Sequence, residues 1–513
     1  MEVFGNLALG FATALQPFNI LMLFIGVTLG LIIGVLPGLG GTSGVAILLP
    51  VTVFIASSGP GGPTSAVILL AGVYWGALFG GVVTSILFNI PGEPWAVALL
   101  FDGFPLAKRL GKPGLALTCS FLASFVGAFI ATLLFTFFAK PLADIALAFG
   151  PPELFAVFVL SFTTLVGLGS ESPLKSVMMI GFGLLLAAVG FDTITGEPRL
   201  TFGQTTVLSG IGFVPVTIGL FGIGEILASA EESGIGYVER LSTRLGFKDL
   251  FEALAAMRQR IWMVVTNSVI GFWFGVLPGH GATAGSFLGY GLARQYSKNK
   301  QNFGKGEISG IMAPQCTADA AAVGSLVPMI TLGVPGSPTS AVMMAGLFIW
   351  GLTPGPLLFI QHPDFVWGLI ASIYLGHFMT FVICLLAVPL LAAIMRIPYA
   401  ILTPFIIVIS IIGSYSINNS LFDVFITIFF GLVGYWLRKL KYPLAPLVVA
   451  IVLGDSTERE LRKSLIMSGG SPLIFFSNVR AATLMLISFA LLLLPLLQTI
   501  RQRLAGAPVT TDG

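Results

Sequence analysis

Apolar stretches long enough to span a bilayer, about 17–25 residues each, recur along the whole chain between short polar breaks. Clear ones begin near Phe18, Thr64, Leu115, Leu154, Leu174, Val207, Ile261, Phe365, Ile401, Phe422 and Ala481. Two others, over residues 40–56 and 313–335, are shorter and set off by Pro-Gly. This pattern predicts an all-α integral membrane protein with about 10–14 membrane segments, some of which enter and return.

Composition agrees. Only 9% of the 513 residues are Asp, Glu, Lys or Arg, against roughly 25% in soluble domains. Mean hydropathy is +0.98. A water-facing surface cannot be built from so few charges, whereas a lipid-facing one can. The 63 glycines and 31 prolines suit transmembrane helices whose freed backbone groups find protein or water partners. A net charge of +3 gives no reason to expect a nucleic-acid partner. Cys119, Cys316 and Cys384 form no CxxC pair, so neither a disulfide framework nor a zinc site is expected. No basic residue precedes the first apolar run, which argues against a cleaved signal peptide.

One long polar segment interrupts the chain. Residues 230–260 mix five basic with five acidic side chains and read as a solvated cytoplasmic linker. It separates a first membrane unit, 1–229, from a second, 261–500, which includes the C-terminal helices; 501–513 form a polar tail.

The two units repeat each other. Gly34-Val-Leu-Pro-Gly-Leu-Gly-Gly-Thr-Ser-Gly44 returns as Gly275-Val-Leu-Pro-Gly-His-Gly-Ala-Thr-Ala-Gly285, identical at eight of eleven positions with an offset of 241. Ile90-Pro-Gly-Glu-Pro94 returns as Val334-Pro-Gly-Ser-Pro338 at an offset of 244. Two matched sites at nearly one offset indicate an internal duplication. Loop charge then sets orientation. Residues 55–65 carry no Lys or Arg, whereas their counterpart carries Arg294, Lys298, Lys300 and Lys305. Past the second motif the pattern reverses: Lys108, Arg109 and Lys112 face a counterpart, 347–363, with none. Basic loops stay cytoplasmic, so the expectation is two inverted-topology repeats with broken helices and re-entrant hairpins.

The repeated motifs are the candidate chemistry. Pro removes a backbone donor, and Gly admits conformations closed to other residues. An unwound backbone at membrane depth survives only where protein or a water-filled cavity satisfies it. Gly38, Gly40, Gly41, Thr42 and Ser43, with their counterparts Gly279, His280, Gly281 and Thr283, fall where a helix restarts. Free N–H groups and hydroxyls there suit a carboxylate. The plain alternative is a Pro-kinked helix with glycines for close packing. His280 stands where Leu39 stands in the first motif, and reads as a substrate hydrogen-bonder or as a cavity wall. Asn89, Pro91 and Gly92, and Pro335, Gly336, Ser337 and Thr339, read as hairpin tips offering neutral ligands to an anion or to Na⁺, or else as interfacial turns. Glu93, a poor carboxylate ligand, is expected at the rim. Gln315, Thr317 and Asp319 put polar groups into a small-residue segment. An intramembrane acid is a functional candidate; the competing placement for Asp319 is the membrane surface. Glu225 and Asp423 are further charges near apolar runs, while Asp192 and Arg199 read as interfacial. The three histidines have no metal spacing, and no cofactor is implied. No GxxxxGK[ST] occurs, so the chain does not itself use ATP, and HExxH and GxSxG are absent too, which weakens an intramembrane enzyme.

At several of these places the chain resembles the TctA family. The resemblance lies in the paired Pro-Gly-x-Gly motifs, Tyr74-Trp-Gly-Ala-Leu-Phe-Gly-Gly81, Asn89-Ile-Pro-Gly92 and Phe101-Asp-Gly-Phe-Pro-Leu-Ala107. It continues through Thr195-Gly196, Thr201-Phe-Gly203, Gly219-Leu-Phe-Gly-Ile-Gly-Glu225, Phe303-Gly-Lys-Gly306, Thr331-Leu-Gly-Val-Pro-Gly336 and Asn418-Asn-Ser-Leu-Phe-Asp423. It covers nearly the whole chain in order. It implies the large membrane subunit of a tripartite tricarboxylate transporter in a bacterial inner membrane. It also implies a small TctB-like membrane subunit, a TctC-like periplasmic binding protein, and uptake of a small carboxylate coupled to an ion gradient. The chain departs from the family at Ala313-Pro-Gln-Cys-Thr-Ala-Asp-Ala320, where an acid is lost at Gln315 and one is gained at Asp319. Neutral motif oxygens favour Na⁺ over H⁺ as the coupling cation, with Asp319 as the competing proton carrier. The functional expectation is a binding-protein-dependent secondary transporter, with a passive channel or permease for small anions as the alternative.

Overall fold

The computed structural model describes residues 2–36, 38–59, 61–167, 172–192, 195–232, 246–279, 281–394 and 399–504. The chain is almost wholly helical. The first part runs α1 (Glu2–Ala14), α2 (Pro17–Val35), α3 (Gly41–Ser58), α4 (Gly62–Phe88), α5 (Val97–Leu100) and α6 (Pro113–Leu147). Next come α7 (Pro151–Gly167), α8 (Pro173–Ala187), α9 (Phe213–Thr217) and α10 (Gly224–Glu232). The second part runs α11 (Phe247–Val276), α12 (Gly281–Tyr296), α13 (Ser309–Gly324), α14 (Leu326–Leu332), α15 (Pro338–Ile349), α16 (Leu358–Gln361) and α17 (Pro363–Ile394). The chain closes with α18 (Tyr399–Asn418), α19 (Leu421–Lys439), α20 (Leu444–Met467), α21 (Ile474–Ser477) and α22 (Val479–Leu504). Between α8 and α9 two short antiparallel strands, β1 (Gly190–Phe191) and β2 (Pro198–Arg199), pair Gly190 with Arg199. Arg199 reaches Glu458 at 2.7 Å, and Arg462 of α20 reaches Asp192 at 2.7 Å, so charge pins this hairpin to α20.

Among the described residues, six helices are long and apolar enough to cross a membrane: Pro17–Val35, Gly62–Phe88, Pro113–Leu147, Phe213–Glu231, Pro363–Ile394 and Leu421–Lys439. The 213–231 span is continuous through π-helical turns at Ile218–Ile223. Its Gly219 and Gly224 let the backbone of α19 approach.

α4 lies at the centre and is buried along its length. Its approach to α2 depends on small residues. A Cβ at Gly26, Gly30 or Gly34 would overlap the carbonyl oxygens of Leu69, Val73 and Ala77 in turn. Gly72, Gly76 and Gly80 of α4 meet the α2 backbone from the other side. Glycine every fourth residue brings two helix backbones into contact where lipid supplies no hydrophobic drive.

The same packing recurs later at the offsets of the duplicated motifs. Gly271 and Gly275 of α11 lie against the carbonyls of Thr317 and Ala321 in α13. These are the counterparts of Gly30 on Val73 and Gly34 on Ala77. A Cβ on Gly92 would come within 2.7 Å of Gly81 Cα, and one on Gly336 within 2.7 Å of Ser325 Cα. Each Pro-Gly tip follows a left-handed helix cap, Asn89 at φ 59° and Gly333 at φ 69°. Cap geometry explains both residue types: glycine has no Cβ to clash there, and asparagine tolerates the conformation.

The linker reading covered 230–260. Residues 233–245 lie outside the described set, and α11 begins at Phe247, so 247–260 form its first half.

Candidate substrate cavity

The broken segments converge. α2 ends at Val35, Leu36 caps it, and α3 restarts at Gly41. α11 ends at Val276, Leu277 caps it, and α12 restarts at Gly281. The Gly279 N–H donates to the Gly336 carbonyl at 3.0 Å, tying the second break to its own Pro-Gly tip. The two halves then meet directly: the hydroxyls of Thr42 and Thr339 are 2.8 Å apart. Around this junction lies a cavity of about 610 Å³.

Its walls include Gly38, Gly40, Thr42, Ser43, Pro91 and Gly92 from the first motif pair. Gly281, Thr283, Ser337 and Thr339 come from the second. Tyr74, Leu78 and Trp95 supply aromatic and apolar surface, and Phe221, Glu225 and Arg438 close one side. The Tyr74 hydroxyl faces Ser337 and Thr339.

The other candidates lie elsewhere. The Gly41 N–H donates to Glu93 Oε1 rather than facing the cavity. Asn89 is an exposed helix cap. Gly279 sits behind the wall, against Leu165. Gly336 is packed on Ser325 and Gly275, and the adjacent Pro335 does not line the cavity. His280 lies outside the described residues. Gln315, Thr317 and Asp319 are fully buried in α13 and do not line the cavity. Asp319 is therefore not at a surface. Gln315 Nε2 donates to Asp319 Oδ2 at 2.6 Å, and Ser120 Oγ of α6 donates to Gln315 Oε1 at 3.2 Å. Among the described residues Asp319 Oδ1 has no hydrogen-bond partner within ordinary distance.

Glu93, expected at the rim, lines the cavity and is partly exposed. Its carboxylate caps the start of α3, accepting from the Gly41 N–H and, at 3.0 Å, from Trp95 Nε1. The anion position at that helix N-terminus is thus filled by the chain itself. The counterpart of Glu93 is Ser337, whose hydroxyl is spent on capping α15 through Ser340. A Cβ at Gly40 would fall on the Glu93 carboxyl, whereas one at Gly281 would meet only Ser337 Cβ, at 3.0 Å. The two sites are matched in backbone but not in charge: the α3 start carries a carboxylate, and among the described residues the α12 start lies beside the Ser337 side chain.

Two residues of the wall escaped the sequence reading. Glu225 stood out only as a charge near an apolar run, and Arg438 not at all. In the structure they contact each other, the Arg438 guanidinium on the Glu225 carboxylate.

A family model described as the tripartite tricarboxylate transporter TctA family matches residues 20–449. An uncharacterized 52.8 kDa protein from the TAR-I ttuC' 3'region of Agrobacterium vitis is 38% identical over 506 residues, covering 98% of each chain. An uncharacterized protein from the TAR-II ttuC' 3'region of the same organism is 37% identical over 233 residues, covering 45% of this chain and 96% of that one. No solved structure matches. With its multi-pass helical architecture and a family match across most of its length, the chain belongs to the TctA family of tripartite tricarboxylate transporters.

Proposed function

We propose that this protein is the substrate-translocating subunit of a secondary transporter that imports small di- or tricarboxylates in a bacterial inner membrane. It would work with a small membrane subunit and a periplasmic binding protein. The observation that carries the reading is the cavity at the Thr42–Thr339 junction. Both duplicated motif pairs line it, and the α12 N-terminus opens into it beside the hydroxyls of Thr283, Ser337 and Thr339. A helix start with free N–H groups favours a carboxylate, and broken-helix sites between repeats are where secondary transporters bind their substrates. The test is uptake by proteoliposomes containing both membrane subunits, with the binding protein and a panel of labelled carboxylates. Accumulation against a gradient, lost when the ion gradient is collapsed, is expected. Downhill flux alone would favour a passive channel.

The repeats are read as inverted. Two adjacencies support this. The backbone of residues 304–307 binds Asp102, and Gly306 packs on Leu106 and Leu110, so the basic loops at 108–112 and 294–305 lie together. Gly368, near the start of α17, packs against Thr64, near the start of α4, so the chain just after each uncharged loop meets the other. Cysteines placed at Lys108 and Lys300 are expected to label from the cytoplasm, and those at Gly61 and Thr353 from the periplasm. Labelling of Lys108 and Gly61 from one side would sink the inverted arrangement.

For coupling, Na⁺ is favoured over H⁺, because the oxygens on Thr42, Ser43, Ser337 and Thr339 are neutral and suit a hard cation. Asp319 lies outside the cavity with Gln315 on one of its oxygens. Asp319→Asn is therefore expected to keep Na⁺-driven uptake. A parent protein indifferent to Na⁺, whose pH-driven uptake vanishes in Asp319→Asn, would overturn this assignment. Transport itself is read as an elevator, the two motif-bearing hairpins carrying substrate past the remaining helices. Hairpin-to-scaffold crosslinks should then block uptake; if crosslinks in every register leave it intact, the elevator reading fails.

A further inference from the structure

A second cavity, of about 640 Å³, lies against the first. Gly38, Phe221, Glu225 and Arg438 line both. The second cavity is framed by the ends of α10 and α19 and the loop after α19, and Arg438, Lys439 and Lys441 face it together with Glu225 and Glu231. Glu231 is already engaged by Lys439 at 2.8 Å. Three basic and two acidic side chains thus line the cavity, and the Arg438–Glu225 pair stands in the wall it shares with the first.

At that wall the pairing is uneven. The Glu225 side chain is 4% exposed and that of Arg438 is 36% exposed. Arg438 meets Glu225 through Nη2, and among the described residues its Nε has no hydrogen-bond partner. A guanidinium offers five donors in a fork that fits a carboxylate with two parallel bonds. Opposite the pair, a Cβ at Gly38 would collide with the Ser229 hydroxyl and lie 3.7 Å from Glu225 Oε1. The wall shared by the cavities therefore holds the backbone of one broken helix beside an ion pair.

We propose that Arg438 binds a substrate carboxylate at this shared wall, and that Glu225 is the resident counter-ion the substrate displaces. The proposal rests on the carboxylate-transport reading above. Its physical basis is conservation of pairing. A partly buried guanidinium left without a partner is costly, but exchanging one carboxylate for another never leaves it bare. Glu225 holds Arg438 when no substrate is present. A dicarboxylate arriving from the second cavity supplies the replacement charge, and its second carboxylate is carried on towards the start of α12.

The test measures half-saturation and maximal rate of uptake of labelled citrate, succinate and malate in proteoliposomes of the full complex, with melting of each variant in detergent. Arg438→Gln is expected to raise half-saturation at least about 30-fold, and Arg438→Lys by less, because it keeps the charge and loses the fork. Glu225→Gln should lower half-saturation, since the competitor is gone, and also lower the maximal rate, since substrate leaves Arg438 slowly. Glu225→Gln/Arg438→Gln should melt like the parent and still fail to transport. A purely structural pair behaves otherwise: both single variants melt early with half-saturation unchanged, and the double variant recovers uptake. Either result overturns the exchange. A parent complex that takes up none of the three acids removes the carboxylate reading itself, and the exchange with it.

Discussion

Gly38→Val and Gly279→Val are each expected to cut uptake about 100-fold, the equivalent of about 2.8 kcal/mol, while the protein still reaches the membrane. Gly38 has φ 81° and Gly279 φ 93°. A β-branched residue is a steric outlier in that region, and holding it there costs about 1–3 kcal/mol. Contacts add to the strain. At Gly38 the new side chain would run into Ser229 and the wall shared by the two cavities. At Gly279 a Cβ would lie 2.8 Å from Leu165 Cδ2, while the residue's own N–H must keep its bond to Gly336. Neither position lies within a spanning helix, so insertion should be spared. Alanine should give intermediate rates, because it keeps the strain and loses the bulk. The measurement is uptake normalised to membrane-inserted protein; normal rates in both valine variants would refute the role given to the breaks.

The second large effect is on stability. Asp102→Ala should lower the melting midpoint in detergent by about 5–10 °C, from a loss of about 3–5 kcal/mol. Asp102 is fully buried just after α5. Its Oδ1 accepts from the N–H groups of Gly304, Lys305, Gly306 and Glu307 at 2.8–3.1 Å, and its Oδ2 accepts from the Tyr290 hydroxyl at 3.0 Å. Successive amides converging on one carboxylate form an anion-binding nest. Alanine would leave four amides without their acceptor, and a buried donor left unmade costs more than a made bond contributes. Asp102→Asn should fall between, keeping one carbonyl acceptor without the charge. If Asp102→Ala melts with the parent, the nest does not hold the two halves together.

These residues also show what a one-dimensional reading can reach. The duplication was legible because it is local: two short motifs recur at 241 and 244 residues, and the glycine contacts follow the same offsets. The long apolar helices were legible for the same reason. α20 was not listed among the spans because only its first half is apolar, and the start of α11 was read as linker because its charges hide an amphipathic helix. Contacts made at a distance were out of reach. Glu93 caps a helix that starts 52 positions earlier, Glu225 finds Arg438 on α19, and the Phe101-Asp-Gly and Phe303-Gly-Lys-Gly motifs are two parts of one nest. Each carried a sequence signal of its own, but nothing that named its partner. Asp319 shows the reverse: its type suggested function, while its depth depends on α6 packing beside α13.

The burial of α4 has a consequence for biogenesis. One of its walls is α17, which starts at Pro363, 275 positions after α4 ends at Phe88. At a synthesis rate of about 5–20 residues per second, α4 exists for roughly 15–55 s before that neighbour is made. In a soluble protein so apolar a helix, exposed for so long, would be an aggregation hazard. In the bilayer, acyl chains can cover it until α17 arrives and displaces them. The lipid then serves the nascent chain as a temporary partner, and the order in which helices leave the ribosome need not follow the order in which they pack.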